Sequence, residues 1–281
     1  MKKCIFLALS LMLGCSLVTM TSCSSDDDGE GGGNNGPGSV EAVNPAKVFP
    51  QGLPARVGGE AVTTDAEGRV TAIGSDVRFI YNSAEAGRAQ SSYDMVMKVR
   101  YDGDPYTINI SLNADGFVRY ACSRDNEWTI SYNSEGRISS IYHKPLDDDG
   151  ISADYSASYK NGNPVAMTAK GGGHKSTAKI TYTDGSHSSG IANKGYYIMW
   201  YDGYGGFDFE ELQKAYYAGL LGKGPELLPL KLEQELGSYR STEEYDWTLD
   251  SNGYPASVFC SYEDYDDGEL EEGSWTDYFS W

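Results

Sequence analysis

Three histidines and two acid-rich stretches offer the widest choice of chemistry in this sequence. His143, His174 and His187 lack the i, i+4 spacing of a helical metal site, so we interpret them as surface imidazoles in or beside loops. Residues 147–149 are three aspartates before a glycine, and residues 263–273 are dense in Asp and Glu. Calcium binds oxygen-rich loops, but neither stretch alternates its ligands as an EF-hand does. We expect solvated acidic loops and predict no metal or cofactor.

Aromatic residues are a second candidate, since the chain has 22 Tyr and 5 Trp. The densest cluster lies at residues 196–204, with glycines beside it that let a ligand approach the rings. An exposed ring combines apolar area with a polar edge, which suits sugars and peptides. We therefore predict Trp200, Tyr204, Tyr197 and Tyr201 as ligand-binding residues, with the first two as stacking faces. The alternative buries Trp200 in the core.

Cys23 has the most specific chemical context. The chain begins with two lysines and a mostly apolar run over residues 5–20, as secretory signals do. That run is shorter than the roughly 20 residues that a membrane-spanning helix needs. Residues 20–23, MTSC, resemble a bacterial lipobox. We predict that residues 1–22 are a signal peptide and that Cys23 is lipidated; the alternative is ordinary cleavage with an incidental cysteine.

Residues 23–41 are predicted to be a tether. The acidic patch at residues 26–28 resembles the signal that exports lipoproteins of Bacteroidetes-type bacteria to the outer leaflet. Residues 31–38 are rich in glycine and hold too little apolar surface to become ordered. The sequence thus predicts a lipid-anchored protein of the outer membrane that faces the medium and contacts the membrane only through its anchor.

Net charge narrows the choice of partners. The whole chain carries −19, and cleavage before Cys23 would remove two of its 22 basic residues and none of its 41 acids, leaving −21. Such an excess of acid disfavours nucleic acid and anionic membrane surfaces as partners. The remaining residues, 42–281, are enough for one large β domain or two small ones, and we predict a single β-rich domain. No oligomeric state is predicted.

A recurring hairpin determines the predicted fold. In WTISYNSEGRISSIYH, Trp128, Ile130 and Tyr132 alternate with polar residues, a turn follows at residues 133–136, and Ile138 resumes an apolar pattern. Similar units have turn glycines at Gly68, Gly116, Gly162 and Gly253. We predict an all-β antiparallel meander of hairpins, curled into a half-barrel or a closed barrel.

One helical segment interrupts this pattern. Asp208 can cap a helix, with Glu211 three residues later. Phe209, Leu212, Tyr216 and Leu220 share one face of that helix. We predict a helix from Asp208 to Leu221 within an insert at about 208–236, whose apolar face covers one end of the sheet. The structure of residues 225–236 is left open.

Two cysteines remain besides Cys23. Cys122 and Cys260 follow turn glycines by six and seven residues, which places them on opposite strand faces unless a bulge intervenes. A disulfide is possible outside the cytoplasm. Two buried thiols are the alternative.

Two resemblances extend this interpretation. Residues 132–138, YNSEGRI, resemble a YD repeat, the hairpin of shell-forming bacterial proteins. The lipobox, acidic tether, GR-type hairpins and the stretch YYAGLLGKGPELLP together resemble a family of uncharacterised Bacteroidetes surface lipoproteins described as having a porin-like β fold. That family has no assigned activity, so the resemblance implies a fold and nothing about a site.

Three classes of function remain. The predicted surface location and the aromatic residues favour a non-enzymatic binding or adhesive module for a glycan or a protein. The anchor and the repeated hairpins also suit a structural subunit of an envelope assembly. A hydrolase with a carboxylate pair among the many acids has no motif in its support.

Overall fold

Alternating apolar and polar residues produce one large antiparallel sheet in the computed structural model. The structure describes residues 36–57, 59–81, 93–101, 104–146, 150–194 and 210–279, all within one compact unit, 31–281. The strands are β1 (Arg56–Val57), β2 (Glu60–Thr64), β3 (Val70–Ile73), β4 (Val77–Tyr81), β5 (Met95–Tyr101), β6 (Asp104–Leu112), β7 (Val118–Cys122), β8 (Asn126–Tyr132), β9 (Ile138–Pro145), β10 (Ala153–Lys160), β11 (Asn163–Gly171), β12 (His174–Thr181), β13 (Ile191–Ala192), β14 (Leu227–Leu228), β15 (Lys231–Leu236), β16 (Tyr239–Leu249), β17 (Pro255–Asp266) and β18 (Glu269–Tyr278).

Sixteen of these strands are neighbours in chain order, from β1 at one edge to β18 at the other. The one departure is that β12 pairs with β15, because the chain leaves the sheet between them and forms the small β13–β14 pair. The predicted all-β antiparallel meander is therefore confirmed. Of the two predicted forms, the sheet takes the open one.

Four hairpin turns share one geometry. Each begins with Asp or Asn, whose side-chain oxygen accepts hydrogen bonds from the backbone N–H groups two and four residues later. A glycine with φ between 77° and 86° closes each turn, and a β-bulge adjoins it. Left-handed backbone favours glycine, which explains the repeated motif. The four starting residues and glycines are Asp65 and Gly68, Asn113 and Gly116, Asn133 and Gly136, and Asp250 and Gly253.

The predicted unit at Gly162 is a different turn. Asn161 and Gly162 both have positive φ, 51° and 73°, and join β10 to β11 directly. This is the two-residue turn that Asn-Gly favours. The hairpin prediction holds here, but the turn is not a copy of the other four.

The hydrophobic core lies on one face of the sheet, which we call the core face. Large side chains of β5 and β6, including Met95, Met97, Ile108 and Ile110, are fully buried there. Residues 37–49 and the 3₁₀ segment Glu210–Ala218 belong to the same core, and the rings of Phe49 and Tyr216 meet edge to face at 5.3 Å. Contacts with the sheet begin before residue 42, because Gly38 N donates to Leu112 O at 2.9 Å.

The predicted helical insert is only partly helical. Its helix spans Glu210–Ala218 and is a 3₁₀ helix, and Asp208 and Phe209 lie outside the described residues. Leu212, Tyr216 and Leu220 are fully buried, as the predicted apolar face requires. Residues 225–236, whose structure was left open, form the strands Leu227–Leu228 and Lys231–Leu236, since prolines precede them and the apolar residues then alternate.

Both cysteines of the predicted β-rich domain lie on strands of the sheet, and so does the first of the three histidines. Cys122 and Cys260 are free thiols and form no disulfide; Cys260 is buried, as the second alternative has it, whereas Cys122 is half-buried. The interpretation of His143 as a surface imidazole is wrong: it lies within β9, buried and stacked on Trp128 with ring centroids 5.6 Å apart. Its Nε2 shares a hydrogen bond of 2.8 Å with Asn126 Oδ1.

In the described part of the chain no helix is long and apolar enough to span a membrane.

Candidate functional site

Small residues leave space on the core face of β10–β12. Where β5 and β6 carry Met and Ile, the corresponding positions of these strands hold Ala153, Ala157, Ala169 and Ala178. All four lie against the core or within it. Closely packed interiors leave few voids. Two of these alanines, Ala153 and Ala169, line a depression together with Gly171 and Ser176, which are also small.

The depression is a cleft of about 390 Å³. Tyr155 and Ala169 are direct cross-strand partners at its centre, and Leu236 contributes from β15. Most of the lining is apolar, with polar groups near the rim, a composition typical of ligand sites. The lining residues are Ile151, Ala153, Tyr155, Ala169, Lys170, Gly171, His174, Ser176 and Leu236.

A polar row continues the core face beyond the cleft. Gln234 pairs with Ser241, which pairs with Asp264, so the three side chains share one face of β15–β17. Gln234 is 1% exposed and Ser241 is 4% exposed. Asp264 Oδ1 is buried and makes no hydrogen bond within the described structure. A buried oxygen without a partner costs free energy, so this carboxylate is an unused acceptor at the end of the polar row.

A second carboxylate lies one row further along the same face. Glu243 Oε2 accepts hydrogen bonds from the Tyr245 hydroxyl and, at 3.6 Å, from Cys260 Sγ. Burial and the neighbouring Glu243 carboxylate raise the pKa of the Cys260 thiol to about 12. The thiol is therefore protonated at neutral pH and serves as a weak donor rather than as a nucleophile.

The opposite face of these strands, which we call the outer face, is charged. Glu233 accepts from Lys179 and Lys231, each at 3.3 Å, and the hydrogen bond from Lys231 is the main cause of its lowered pKa. The acid-rich stretch at residues 263–273, predicted as a loop, is instead the β17–β18 hairpin. Its acids alternate between the two faces because it is a strand pair. In the described residues no group of three or more His, Cys, Asp or Glu could hold a metal ion.

The predicted site residues fall mostly outside the described structure. Cys23 and the aromatic residues Trp200, Tyr204, Tyr197 and Tyr201 all lie there, as do residues 147–149, so those assignments stay predictions. His174 is exposed on the rim of the cleft. His187 is exposed in a turn, 3.2 Å from Asp184. The cleft and the polar row were missed, because Ala153 and Ala157 alternate with Tyr155 and Tyr159 on the same face of β10 and looked like ordinary strand residues.

Comparison with known proteins gives a fold relationship. The chain is similar to a porin-like protein from Bacteroides uniformis, with a TM-score of 0.54 and 18% identity over 79% of this chain and 89% of that one. No family model matches the chain, and no curated protein matches it. The porin-like β fold that the sequence resemblance implied is thus supported at the level of structure. The likeness of one hairpin to a YD repeat stays a prediction.

The cleft and the carboxylates near it suit an elongated ligand that has an apolar part and a part that donates hydrogen bonds. The cleft provides apolar contact area around Tyr155 and Ala169, and the neighbouring strands carry acceptors at Asp264 and, one row further along, at Glu243. A sugar has apolar ring faces and hydroxyl donors, and a peptide can combine an apolar side chain with a basic one. Both classes fit this division of the surface.

Proposed function

We propose that this protein is a lipid-anchored outer-membrane protein that binds a glycan or a protein ligand without catalysing a reaction. The observation that carries the proposal is the apolar cleft, beside which Asp264 has an acceptor oxygen without a hydrogen-bond partner in the described structure. A surface that supplies contact area and a few oriented acceptors is suited to recognition. The lipobox and acidic tether support the location, and the name of the similar Bacteroides protein is consistent with an envelope role.

Filling the cleft should abolish binding. A glycan array and a peptide array would first identify a ligand of the full-length protein. We expect Ala153→Phe to weaken binding of that ligand at least tenfold, because the ring occupies the space between β10 and β11. Ser156→Phe is the matched control, since it adds the same ring to the same strand on the outer face.

The Ala153→Phe and Ser156→Phe variants also test whether the cleft is the binding site. If Ala153→Phe folds and binds as well as the wild type, the cleft is not the binding site. The sequence-predicted cluster would then be tested with a Trp200→Ala and Tyr204→Ala double variant. If neither array yields a ligand, the proposed function itself fails and the envelope subunit becomes the better interpretation.

The proposed lipid-anchored location on the cell surface can be tested separately. We expect Cys23 to carry lipid and proteinase to remove the protein from intact cells. Replacing Asp26, Asp27 and Asp28 by Ala should leave the protein protected until the cells are lysed, because the export signal is lost. The control replaces the three aspartates at residues 147–149, which removes the same charge outside the predicted tether. Mass spectrometry and immunoblotting give the readout; a protected wild type would contradict the surface location.

A further inference from the structure

The last strand of the sheet has a free edge that can accept another strand. β18 pairs with β17 over ten consecutive residue pairs in one register, and among the described residues no strand pairs with its other side. Edges of this length are normally blocked by proline, by charged side chains such as lysine, by a bulge or by shortness, and the charges that β18 carries are all acidic. β18 has no proline or lysine, and its pairing shows no register shift.

The hydrogen-bond pattern identifies which groups the edge offers. Phe279 N donates to Ala256 O at 2.9 Å, which makes that pair a hydrogen-bonded one. In an antiparallel ladder such pairs alternate with non-bonded ones. The odd-numbered residues of β18 therefore bond to β17. The even-numbered residues direct their N–H and C=O groups outward; they are Leu270, Glu272, Ser274, Thr276 and Tyr278.

The charge around this edge is entirely negative. Residues 255–279 contain eight acids and no Lys or Arg. Four of the acids are on β18 itself: Glu269, Glu271, Glu272 and Asp277. This charge opposes another acidic strand and attracts a basic one, and the attraction weakens with salt.

A second copy of the chain is a poor occupant. Two β18 strands that use all five outward residues would pair about Ser274, which sets Glu271 of each copy opposite Asp277 of the other. Like charges directly opposite each other destabilise a strand pair. The edge at the other end of the sheet, β1, is only two residues long, so it cannot pair along the length of β18.

We propose that the free edge of β18 binds an extended, basic segment of a partner protein by strand addition. The backbone groups of the five outward residues supply the affinity, and Glu269, Glu271 and Asp277 select Lys or Arg at alternate positions of the incoming strand. This interaction uses the far edge of the sheet. It does not depend on the cleft, and either site can fail in experiment without the other.

A short peptide tests the proposal on the full-length protein. The probe is a ten-residue acetylated and amidated peptide of alternating Lys and Thr. We expect binding at low salt that Thr276→Pro weakens at least tenfold, because proline removes one outward N–H and leaves the bonds to β17 intact. Thr276→Val, which keeps the N–H, should change affinity less than twofold.

Two further controls separate strand addition from charge alone. The same peptide with every Thr N-methylated keeps its five charges but loses its edge-facing donors, and should bind at least tenfold more weakly. This comparison uses wild-type protein, so it holds even if Thr276→Pro fails to fold. Equal binding of the methylated peptide, no binding of the parent peptide, or a dimer in sedimentation that Thr276→Pro dissociates would each overturn the proposal.

Discussion

Gly116→Ala should lower the free energy of unfolding by about 3–4 kcal/mol, whereas Gly68→Ala should lower it by about 1–2 kcal/mol. The two glycines close the same kind of turn with φ of 86° and 79°. The left-handed backbone therefore penalises alanine similarly at both. A Cβ at Gly116 would lie 2.5 Å from Ala42 O, while one at Gly68 meets no described atom within 4 Å. The difference between the variants measures how tightly residues 37–49 pack on the sheet.

Two more glycines complete the series. At Gly253 the nearest atom to an added Cβ is the flexible Lys194 Nζ at 3.3 Å, so this variant should resemble Gly68→Ala. At Gly136 it is the Phe117 ring at 3.2 Å, which should give an intermediate loss. Urea unfolding followed by fluorescence would give the four values. Equal losses at all four positions would show that the backbone conformation alone decides the cost.

The turns were predictable because their cause is local. An Asx residue, a glycine three positions later and alternation on both sides lie within about ten residues, and each hydrogen bond that forms the turn stays inside that window. The same logic gave the meander, since antiparallel strands joined by short turns must be neighbours. Openness of the sheet is a property of all sixteen strands together, and no local pattern specified it.

The cleft and the buried His143 were missed for a different reason. Both depend on what faces a residue from distant strands. His143 is followed by Lys144 and Pro145, so nothing local marked it as buried. In the folded chain, Trp128 of β8 stacks on its ring, and Asn126 of β8 shares a hydrogen bond with it. The alanines of β10 looked like ordinary strand residues until the neighbouring strands also proved to be small on that face.

The strand β15 could have been predicted from the sequence. Leu232, Gln234 and Leu236 alternate with charged residues, and Gly237 has a φ of 58° at the turn that follows. Pro225 and Pro229 made the stretch look irregular, and the predicted insert was extended over it. The prolines instead mark the end of the excursion between β12 and β15, where the chain returns to the sheet.

A buried cation, Arg137, contacts the chain shortly before it returns to the sheet at β15. Arg137 follows Gly136 in the third of the four similar turns, and its side chain is only 4% exposed. Its guanidinium donates to Gly224 O and to Glu226 Oε1, both on the excursion, and to Glu135 Oε2 at 3.2 Å. Lys223 N donates to the neighbouring Gly136 O at 2.9 Å. The turn and the excursion are therefore held together by an arginine. In the sequence, this residue is visible only as the second member of a Gly-Arg pair that another hairpin also contains.

Arg137→Met should lower the free energy of unfolding by about 3 kcal/mol, because Gly224 O loses a charged donor in a buried position. Arg69 is the matched control, since it follows Gly68 in the same kind of turn but contacts only nearby residues: Asp65 of its own hairpin at 2.8 Å and the Tyr81 ring of the next strand, β4. Arg69→Met should cost only about 1 kcal/mol.

The two variants should also differ in where the structure loosens. Hydrogen exchange in Arg137→Met should rise most at residues 222–228, since the excursion loses its attachment while the β8–β9 hairpin keeps its own ladder. In Arg69→Met, faster exchange should stay within residues 62–73. Arg137→Lys keeps the charge but not the fork of donors, so it should restore only part of the stability. If Arg137→Met costs no more than Arg69→Met and leaves exchange at 222–228 unchanged, the arginine does not hold the excursion on the sheet.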